Sequence, residues 1–405
     1  MLKKIYELDI FDLNWDISSK DINQVEITSS GKYDLFEGIV RYFYHMIKSI
    51  FYFKFNIHPF DRKVVLFSGT KNQCLTVEKL KFDCEFRHVK FGNQTSYKGN
   101  NSFEALPYII SIFFLPFYIK SYYKEKCKFK RRIMRCRFDW FMFSYGLYFF
   151  YQLTLCEGKV DLVIFSNDHS VWQRALLKDL CLEKKIKTAY VQHANVSEFF
   201  PPLGFDFAFL DGKYAKSCYK GNDCKVFLVG CLRFQDFYKN RKLDVDTTLL
   251  CFNKIDSLFS IKKIIDYFDK NELPFNIRLH PGEQRKNVIN FISEKYSKKD
   301  VSKLDLYETL SKHRYCLSGT SSIFLEASIL GLYSMSIRDI FYDYYHFERN
   351  GLVKVFEKID DINFDEIRTT NLEALSLYNF VDDELTVFRN PSDRIRSILV
   401  YEGLI

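Results

Sequence analysis

Side chains that can transfer protons or bind anions come directly after apolar runs at several separate points of this 405-residue chain. His193 follows the run AYVQ, Asp211 follows FDFAFL, and His280 follows FNIRL. Apolar runs of this length, separated by helical segments, are typical of buried parallel strands. Ligands of open parallel sheets bind beyond the carboxyl ends of the strands, so these residues predict one site assembled from several loops.

His193 is the candidate general base, because an imidazole just past a buried strand can take a proton from an acceptor hydroxyl. Asp211 competes with it for that role. Asp168 and His169 follow the neighbouring run VDLVIFS, where they either orient the imidazole or bind the acceptor. The further candidates for substrate binding at this edge are His169, Gln192, Arg233 and Asp236.

The segment Leu317–Leu330 carries the strongest local signal for an anion site. A strand runs into a Gly/Ser/Thr turn that opens a helix, whose first N–H groups and dipole attract a phosphate or diphosphate. Glu326 lies one turn into that helix, where it can accept a hydrogen bond from a ribose hydroxyl. The alternative is an ordinary serine-capped helix with Glu326 as capping partner. The candidate residues of the turn are Ser318, Gly319, Thr320, Ser321 and Ser322.

A second anion signal is the stretch NIRLHPGE, in which a strand delivers Arg278 and His280 to its end and Pro281 stops the strand. A guanidinium pairs with phosphate oxygens, and an imidazole can donate to the same group. The alternative for Arg278 is a structural ion pair with Glu283. Neither signal is a P-loop, because the pattern GxxxxGK[ST] is absent.

Strand and helix patterns alternate in two successive series, which predicts two parallel sheets with right-handed crossovers. The polar stretch Arg241–Thr247 separates them and is the expected linker. A chain of this length suits two domains. The predicted strands are Lys63–Ser68, Val160–Ser166, Thr188–Gln192, Phe205–Leu210, Val226–Val229, Thr248–Phe252, Phe275–Leu279, Tyr315–Leu317 and Tyr333–Ile337.

The basic block Lys120–Arg137 holds nine basic residues and one acidic residue, a balance of +8 that equals the net charge of the whole chain. It follows the apolar run Tyr108–Ile119, which is shorter than the ~20 residues that span a bilayer. This combination favours an anionic membrane surface or an anionic lipid-linked acceptor; a solvated basic helix is the alternative. No RNA- or DNA-binding motif accompanies the charge, so no nucleic-acid partner is expected.

The 11 Cys residues are scattered, without C-x-x-C pairs or Cys/His clusters, which favours reduced thiols over a zinc site or a disulfide framework. Residues 1–16 lack the pattern of a signal peptide. We therefore expect a cytoplasmic protein without a metal site, with peripheral attachment to the inner face of the cell membrane through the basic block.

The loops, in this order, resemble the carboxyl-terminal region of bacterial GT-B transferases of the CDP-glycerol glycerophosphotransferase (teichoic-acid polymerase) and capsule-polysaccharide type. The resemblance covers about Val160–Leu352. It departs from the family pattern where Ala194 replaces a Gly and Leu232 replaces a Pro. The matching stretches are Gln192–Ala194 for a Q-H-G strand end, Gly230–Asp236 for G-x-P-R-x-D, Arg278–Pro281 for R-x-H-P, and Gly319–Ser322 for a Ser-rich turn.

This resemblance implies an α/β, GT-B-like fold of two Rossmann-like domains with parallel sheets facing a central cleft. The linker sets the expected boundaries at residues 1–240, which contain a helical, basic-aromatic insertion at about 100–150, and residues 241–405. By the resemblance, the first would be the acceptor-side domain and the second the nucleotide-donor domain. His193 would be the base, and Arg278, His280 and the serine turn would hold the donor diphosphate. The donor would be a nucleotide-activated sugar or polyol, and the acceptor a glycan or a lipid-linked molecule. The product would be a surface polysaccharide, such as capsule, lipopolysaccharide O-antigen or a teichoic-acid-like polymer. Neither a metal nor another cofactor is implied.

Three alternatives stay open. Bacterial sialyltransferases of similar fold carry an acidic-acidic-Gly motif, a His-Pro motif and a Ser-rich motif, which Leu210–Gly212, His280–Pro281 and Ser321–Ser322 match in part; Asp211 would then be the base and the donor a CMP-sugar. The run SGTSSIFLEA also resembles the nucleotide site of UDP-sugar 2-epimerases. A non-catalytic scaffold of a polysaccharide assembly complex is the third alternative.

Overall fold

The structure is a computed structural model. It describes every residue except 1–34, 52–60, 81, 83, 91–105, 127–130, 132–133, 136–137, 157–158, 169, 171, 178–185, 199, 201, 220–223, 236–245, 368–371 and 381–389. His169, Asp236, most of the predicted linker and part of the basic block therefore lie outside the described residues, as does the segment 1–16.

The first half of the chain folds around a six-stranded, all-parallel sheet. Its strands are β1 (Val64–Ser68), β2 (Phe86–Lys90), β3 (Leu162–Phe165), β4 (Lys187–Val191), β5 (Phe207–Leu210) and β6 (Lys225–Leu228). They are ordered β2-β1-β3-β4-β5-β6. Successive residues of β1 and β3 enter two different apolar cores, one on each face, which explains why both strands read as continuous apolar runs.

An aromatic helical layer covers one face of this sheet. Its central helix is apolar on all sides and is buried among the others, and Tyr151 packs edge-on against Phe67 of β1 at 4.9 Å. Among the described residues, no helix is both long and apolar enough to cross a membrane. The helices of the first half are α1 (Leu35–Phe51), α2 (Lys71–Glu78), α3 (Leu106–Ile110), α4 (Leu115–Lys124), the central α5 (Phe138–Cys156) and α6 (Lys213–Cys218), with 3-10 turns at Ser111–Phe114 and Leu232–Phe234.

The second half is built on a five-stranded, all-parallel sheet. Its strands are β7 (Thr248–Phe252), β8 (Phe275–Leu279), β9 (Tyr315–Ser318), β10 (Tyr333–Ile337) and β11 (Lys354–Phe356), ordered β11-β10-β9-β7-β8. Its helices are α7 (Leu258–Lys270), α8 (Lys286–Lys295), α9 (Leu306–Leu310), α10 (Ile323–Ile329) and α11 (Leu372–Tyr378), with 3-10 turns at Ile359–Asp361 and Phe364–Ile367.

Helix α7 shows how the sequence builds this half. Ser257 caps it by accepting a hydrogen bond from the backbone N–H of Ser260. Ile261, Ile264 and Phe268 recur at helical spacing and are fully buried against the sheet. Charged side chains are exposed on the opposite face of the helix, at Lys262, Asp266 and Asp269.

The chain ends with α12 (Pro391–Tyr401), which packs against the first sheet. Ile395 and Leu399 of α12 are fully buried in the core that also contains Val64 of β1 and Leu162 of β3. The predicted boundaries assign this helix to the second domain, but its packing joins it to the first half. Lys225 of β6 and Glu402 make an ion pair beside it.

Every strand predicted from an apolar run is present, and the prediction of two Rossmann-like parts with parallel sheets is confirmed. Two strands have no predicted counterpart, and both lie at sheet edges. Strand β2 has the largely polar sequence FRHVK, and β11 is only three residues long. Edge strands bury less surface, so they carry a weaker apolar signal than central ones.

Candidate functional site

The two sheets each have a topological switch point, where successive connections leave the sheet in opposite directions. It lies between β1 and β3 in the first sheet and between β7 and β9 in the second. The loops beyond the carboxyl ends of these strands form the crevice in which open α/β sheets bind ligands. His193 follows β4, next to the first switch point, and the serine turn follows β9 at the second, whereas Asp211 and Arg233 follow β5 and β6, further along the first sheet.

The loops of the two halves meet at these edges. Glu198, in the loop after β4, lies 3.8 Å from His346, in the loop after β10. Arg233, beyond β6, lies 3.8 Å from Glu326 of α10. Cys231 and Phe234 of the first half share an apolar core with Phe324 of the second. The carboxyl edges of the two sheets therefore border a common interface.

The half-buried ring of His193 sits just past β4 and contacts Gln73 of α2. The Nε2 atoms of Gln73 and His193 are 3.4 Å apart. The Oε1 of Gln73 accepts hydrogen bonds from the backbone N–H groups of Gly69 and Thr70, at 2.7 and 3.2 Å. These bonds fix the amide orientation, so Gln73 Nε2 is the donor and His193 Nε2 the acceptor. A neutral His193 therefore carries its proton on Nδ1 and presents a lone pair at Nε2.

Gln73 was not among the predicted site residues, although its sequence signal is readable. Thr70 and Gln73 form a capping box at the start of α2, in the stretch TKNQ directly after β1 and Gly69. The same amide that completes the cap reaches His193. A capping box that opens a helix at a switch point is therefore the pattern that identifies such a positioning residue.

A second imidazole, that of His88, lies near this edge and is bonded within the sheet. The Nε2 of His88, on β2, is 2.6 Å from the Oγ of Ser68 at the end of β1. Burial lowers the pKa of His88 to about 4, and nearby Lys90 acts in the same direction. The ring stays neutral at physiological pH and ties the edge strand to its neighbour.

Asp168 is buried in a tyrosine cluster. Its Oδ2 accepts a hydrogen bond from the O–H of Tyr219 at 2.7 Å, and that hydroxyl lies 3.4 Å from the O–H of Tyr190. Burial raises the pKa of Tyr219 well above its usual value, and the negative charge of Asp168 adds to the effect. The carboxylate therefore supports the interior beneath the β4 and β5 loops.

Gln192 braces the loops that follow β4 and β5. Its Nε2 donates to the carbonyl oxygen of Ala194 at 2.9 Å, and its Oε1 accepts from the backbone N–H of Asp211 at 2.9 Å. Both ends of the buried amide are bonded to backbone, so it fixes the position of the neighbouring His193.

Asp211, Arg233 and Glu326 form a buried group at the interface, called here the interface triad. Asp211 is 3% exposed, and its Oδ2 has no hydrogen-bond partner among the described residues. Burial raises the pKa of Asp211 to about 7, against the opposing effects of Arg233 and of a hydrogen bond with Cys231. Burial also raises the pKa of Glu326, against Arg233 and Arg278. The guanidinium of Arg233 thus lowers the pKa of two carboxyl groups, Asp211 and Glu326, that burial has removed from water.

The backbone around Asp211 packs against the end of α11 and the residues that follow it. Phe380 donates its N–H to the carbonyl oxygen of Asp211 at 2.6 Å. A Cβ on Gly212 would collide with the carbonyl oxygen of Leu377 and would lie 2.6 Å from the carbonyl carbon of Tyr378. This contact joins the end of β5 to the second half.

Gly212→Ala is therefore expected to destabilise the fold by about 1–3 kcal/mol, because backbone atoms would have to move apart to admit the methyl group. Urea unfolding measures the loss. Gly204→Ala is the matched control, since no atom lies within 4 Å of its Cβ position; surface changes of this kind usually stay within about 0.5 kcal/mol. Equal stabilities of the two variants would contradict the close approach.

The serine turn after β9 is held mainly by its own hydroxyls. Ser318 donates to the carbonyl oxygen of Cys251 at 2.9 Å, and Thr320 Oγ1 donates to the carbonyl oxygen of Tyr342 and accepts from its N–H. Ser321 Oγ accepts from the N–H of Ile323, whereas Ser322 makes no side-chain capping bond at the start of α10. These hydrogen bonds hold the turn in place. The Ser322 hydroxyl lies at the start of α10 and makes no capping bond there.

The loop after β7 packs directly on this turn and was not predicted as part of the site. Asn253 Nδ2 donates to the carbonyl oxygen of Thr320 at 2.6 Å. Asp256 Oδ2 accepts from the N–H of Asn253. A Cβ on Gly319 would lie 2.6 Å from Asp256 Oδ1 and 2.8 Å from the backbone carbonyl oxygen of Ile340, so only glycine fits there. Burial raises the pKa of Asp256 to about 6. The sequence signal is Asn-x-x-Asp directly after a buried strand.

Arg278 anchors a loop. Its Nη1 donates to the carbonyl oxygens of Val301 and Leu304, at 3.1 and 3.0 Å, and to the Oγ1 of Thr309 at 3.1 Å. The alternative of a pair with Glu283 is wrong, because Glu283 pairs with Arg285 at 2.5 Å. Arg278 acts on Glu326 through its charge, which lowers the pKa of that carboxyl group.

His280 is exposed at the end of β8. Its Nδ1 accepts from the N–H of Gly282 at 3.0 Å, so a neutral ring carries its proton on Nε2. Burial of part of the ring and the nearby charge of Lys254 lower its pKa, and the Lys254 side chain reaches within 2.6 Å of the Cβ position of Gly282. The end of the second sheet thus offers an N–H donor and an ammonium group.

Comparison with known proteins gives similarity of structure alone. No protein-family model matches the chain, and no curated protein matches its sequence. The UDP-GlcNAc 2-epimerase of Methanocaldococcus jannaschii, solved with UDP-GlcNAc and UDP, is 16% identical over 84% of this chain and 99% of its own, with a TM-score of 0.50. MnaA of S. aureus, solved with UDP, is 13% identical over 85% and 98% of the two chains, with a TM-score of 0.52.

A weaker similarity is to the wall teichoic acid polymerase TagF, 10% identical over 91% of this chain and 97% of the polymerase chain, with a TM-score of 0.47. A similarity at that score supports no conclusion about this chain. The two-sheet topology and the agreement with the epimerase structures establish the fold. The chain has a GT-B-like α/β fold of two Rossmann-like parts.

Proposed function

We propose that this protein transfers a glycosyl or polyol-phosphate group from a nucleotide-activated donor to a hydroxyl acceptor in surface-polysaccharide synthesis. The observation that carries the proposal is His193, held beyond β4 with its Nε2 lone pair set by Gln73. Because the Gln73 contact is long, at 3.4 Å, an acceptor hydroxyl can replace it at the same lone pair. His193 would then take the hydroxyl proton as the bond to the donor forms.

The second half would bind the donor. The Ser322 hydroxyl, His280 and Lys254 supply donors and positive charge at the ends of β8 and β9, where a leaving diphosphate needs stabilisation. Glu326 was expected to accept from a ribose hydroxyl, but it lies in the buried interface triad beside Arg233, so it would support the start of the site and would not contact the donor. Ser318, Gly319, Thr320 and Ser321 would shape the turn, and Arg278 would act on the site through loop position and charge.

Asp211 and Asp168 would not be bases in this reaction. Asp211 is enclosed in the interface triad, and Asp168 lies in the tyrosine cluster. A general base must reach the acceptor proton directly or through one water. The sialyltransferase alternative, in which Asp211 is the base, therefore receives less support than the assignment to His193.

A 2-epimerase is the second candidate, favoured by the similarity to the two epimerase structures. Such a reaction requires acid and base groups that act on the sugar itself. Among the described residues beyond the first sheet, Asp168 accepts a hydrogen bond from Tyr219, and Asp211 is enclosed in the interface triad. The transferase is therefore preferred.

A nucleotide screen tests the proposal. A ligand that binds only the folded protein raises the melting temperature by mass action, so CMP, CDP, UDP and GDP and their sugar or polyol conjugates would each be tried. We expect one base to raise the melting temperature, and the matching conjugate to be consumed only when an acceptor is present. Conversion of UDP-GlcNAc to its 2-epimer without an acceptor would establish the second candidate, and no response to any nucleotide would contradict both.

A further inference from the structure

Helix α1 is apolar on two opposite sides, and within the described part of the chain only one of these sides is covered. On the inner side Tyr42 is fully buried and packs edge-on against Phe138 of α5 at 5.6 Å. On the outer side large apolar residues recur every three or four positions, and Phe36 is 71% exposed. This outer stripe consists of Phe36, Val40, Phe43, Ile47 and Ile50.

Helix α4 carries a second set of exposed apolar residues. Tyr118 of α4 packs on the same Phe138, edge-on at 4.9 Å, so α1 and α4 are both packed on one aromatic ring. On the outside of α4 and the 3-10 turn before it, Phe113 is 73% and Tyr123 78% exposed, and Ile119 is also exposed. We call the α1 stripe together with Phe113, Ile119 and Tyr123 the apolar outer face.

Exposed basic residues border this face. The O–H of Tyr118 donates to the carbonyl oxygen of Met134, and the carbonyl oxygen of Arg135 lies 3.8 Å from the Cβ position of Gly38 on α1. The described part of the basic block thus runs between α4 and α1. Its exposed cationic side chains are Lys120, Lys124, Lys126, Arg131 and Arg135.

We propose that the apolar outer face and the exposed cations of the described part of the basic block together dock on an anionic phospholipid surface. A helix with an exposed apolar stripe and neighbouring cations lies in the interface plane, with apolar side chains at the acyl boundary and cations at the headgroups. A second copy of the chain is a poorer occupant, because a two-fold contact would bring two blocks of like charge together. This inference does not rest on the proposed function.

The test uses co-sedimentation of the full chain with vesicles of phosphatidylcholine, with or without about 30% phosphatidylglycerol. Binding is expected to the anionic vesicles only, and to weaken as salt rises from about 50 to about 500 mM, because screening shortens the reach of the charges. Lys120→Gln/Lys124→Gln/Lys126→Gln should lower the partition coefficient on the order of 100-fold, at roughly fivefold per charge. Phe36→Ser/Phe43→Ser/Ile47→Ser should lower it at least tenfold, since it removes apolar burial.

The matched charge control is Lys286→Gln/Lys298→Gln/Lys303→Gln, exposed lysines of the second half that should leave partition unchanged. Each variant keeps its wild-type melting temperature if the changed residues are outside the core. No binding by the wild type, equal binding to neutral vesicles, or equal loss in the control would overturn the proposal. A wild-type dimer that dissociates in the serine variant, together with no binding to vesicles, would also overturn the proposal. That result would assign the apolar outer face to self-association.

Discussion

His193→Ala is expected to lower donor turnover about 10²- to 10⁴-fold, the usual contribution of a positioned general base. Removing the imidazole removes the lone pair that Gln73 orients, which is the proposed acceptor of the proton. The donor contacts proposed above lie in the other half of the protein, so donor affinity should stay within about twofold. Steady-state transfer and nucleotide titration on the same preparations measure the two quantities separately.

Gln73→Leu separates positioning from chemistry. The imidazole remains but loses the amide that sets its tautomer, so turnover should fall less, about tenfold, and the pH at which activity rises should shift. His45→Ala is the matched histidine control, because His45 lies on α1 in the helical layer and not beyond the end of a strand. Near-wild-type transfer by a folded His193→Ala protein would show that another group is the base.

The strand ends were predictable from sequence because long apolar runs fix where each buried strand stops. Parallel pairing then brings those ends to one edge, which places His193, Asp211, His280 and Ser318 at the carboxyl ends. The partners of the side chains were not predictable in this way. Arg278 binds the carbonyl oxygens of Val301 and Leu304, a contact that depends on how a distant loop packs.

The same limit applies at the interface between the halves. Asp211, Arg233 and Glu326 were each identified as candidates. Their common contact was not predictable, because Asp211 and Glu326 belong to elements more than a hundred residues apart, and Arg233 interacts with both. Nor does periodicity show that α12 returns to the first sheet. An amphipathic pattern establishes that a helix buries one face, and it leaves open which sheet that face covers.

Arg233→Met is expected to lower the free energy of unfolding by about 3–5 kcal/mol, the cost of leaving buried charge without its counter-charge. Arg233 lies 3.8 Å from Glu326 and acts on Asp211, and both carboxyl groups are desolvated. Methionine fills much of the arginine volume, so lost packing contributes little. Urea unfolding at about pH 8, where free carboxyl groups are ionised, measures the loss.

The loss should shrink as pH falls, and the sign follows from the carboxyl groups. Asp211 has its pKa raised from 3.8 to about 7 in the folded protein, so its contribution to stability is present below 3.8 and is lost as pH rises through about 7. Removing Arg233 raises the carboxyl pKa values further and enlarges that loss on the alkaline side. At about pH 5 the triad can hold protons instead, and the variant should recover much of its stability.

Asp211→Asn in the Arg233→Met background provides the decisive comparison. With one carboxylate neutralised, the double variant should regain part of the lost stability at about pH 8 and depend less on pH than the single variant. Arg314→Met, which removes an exposed arginine paired with Asp246, should change stability little at either pH. If Arg233→Met lost the same free energy at both pH values, the loss would come from packing, and the buried charges of the triad would not be what couples the two halves.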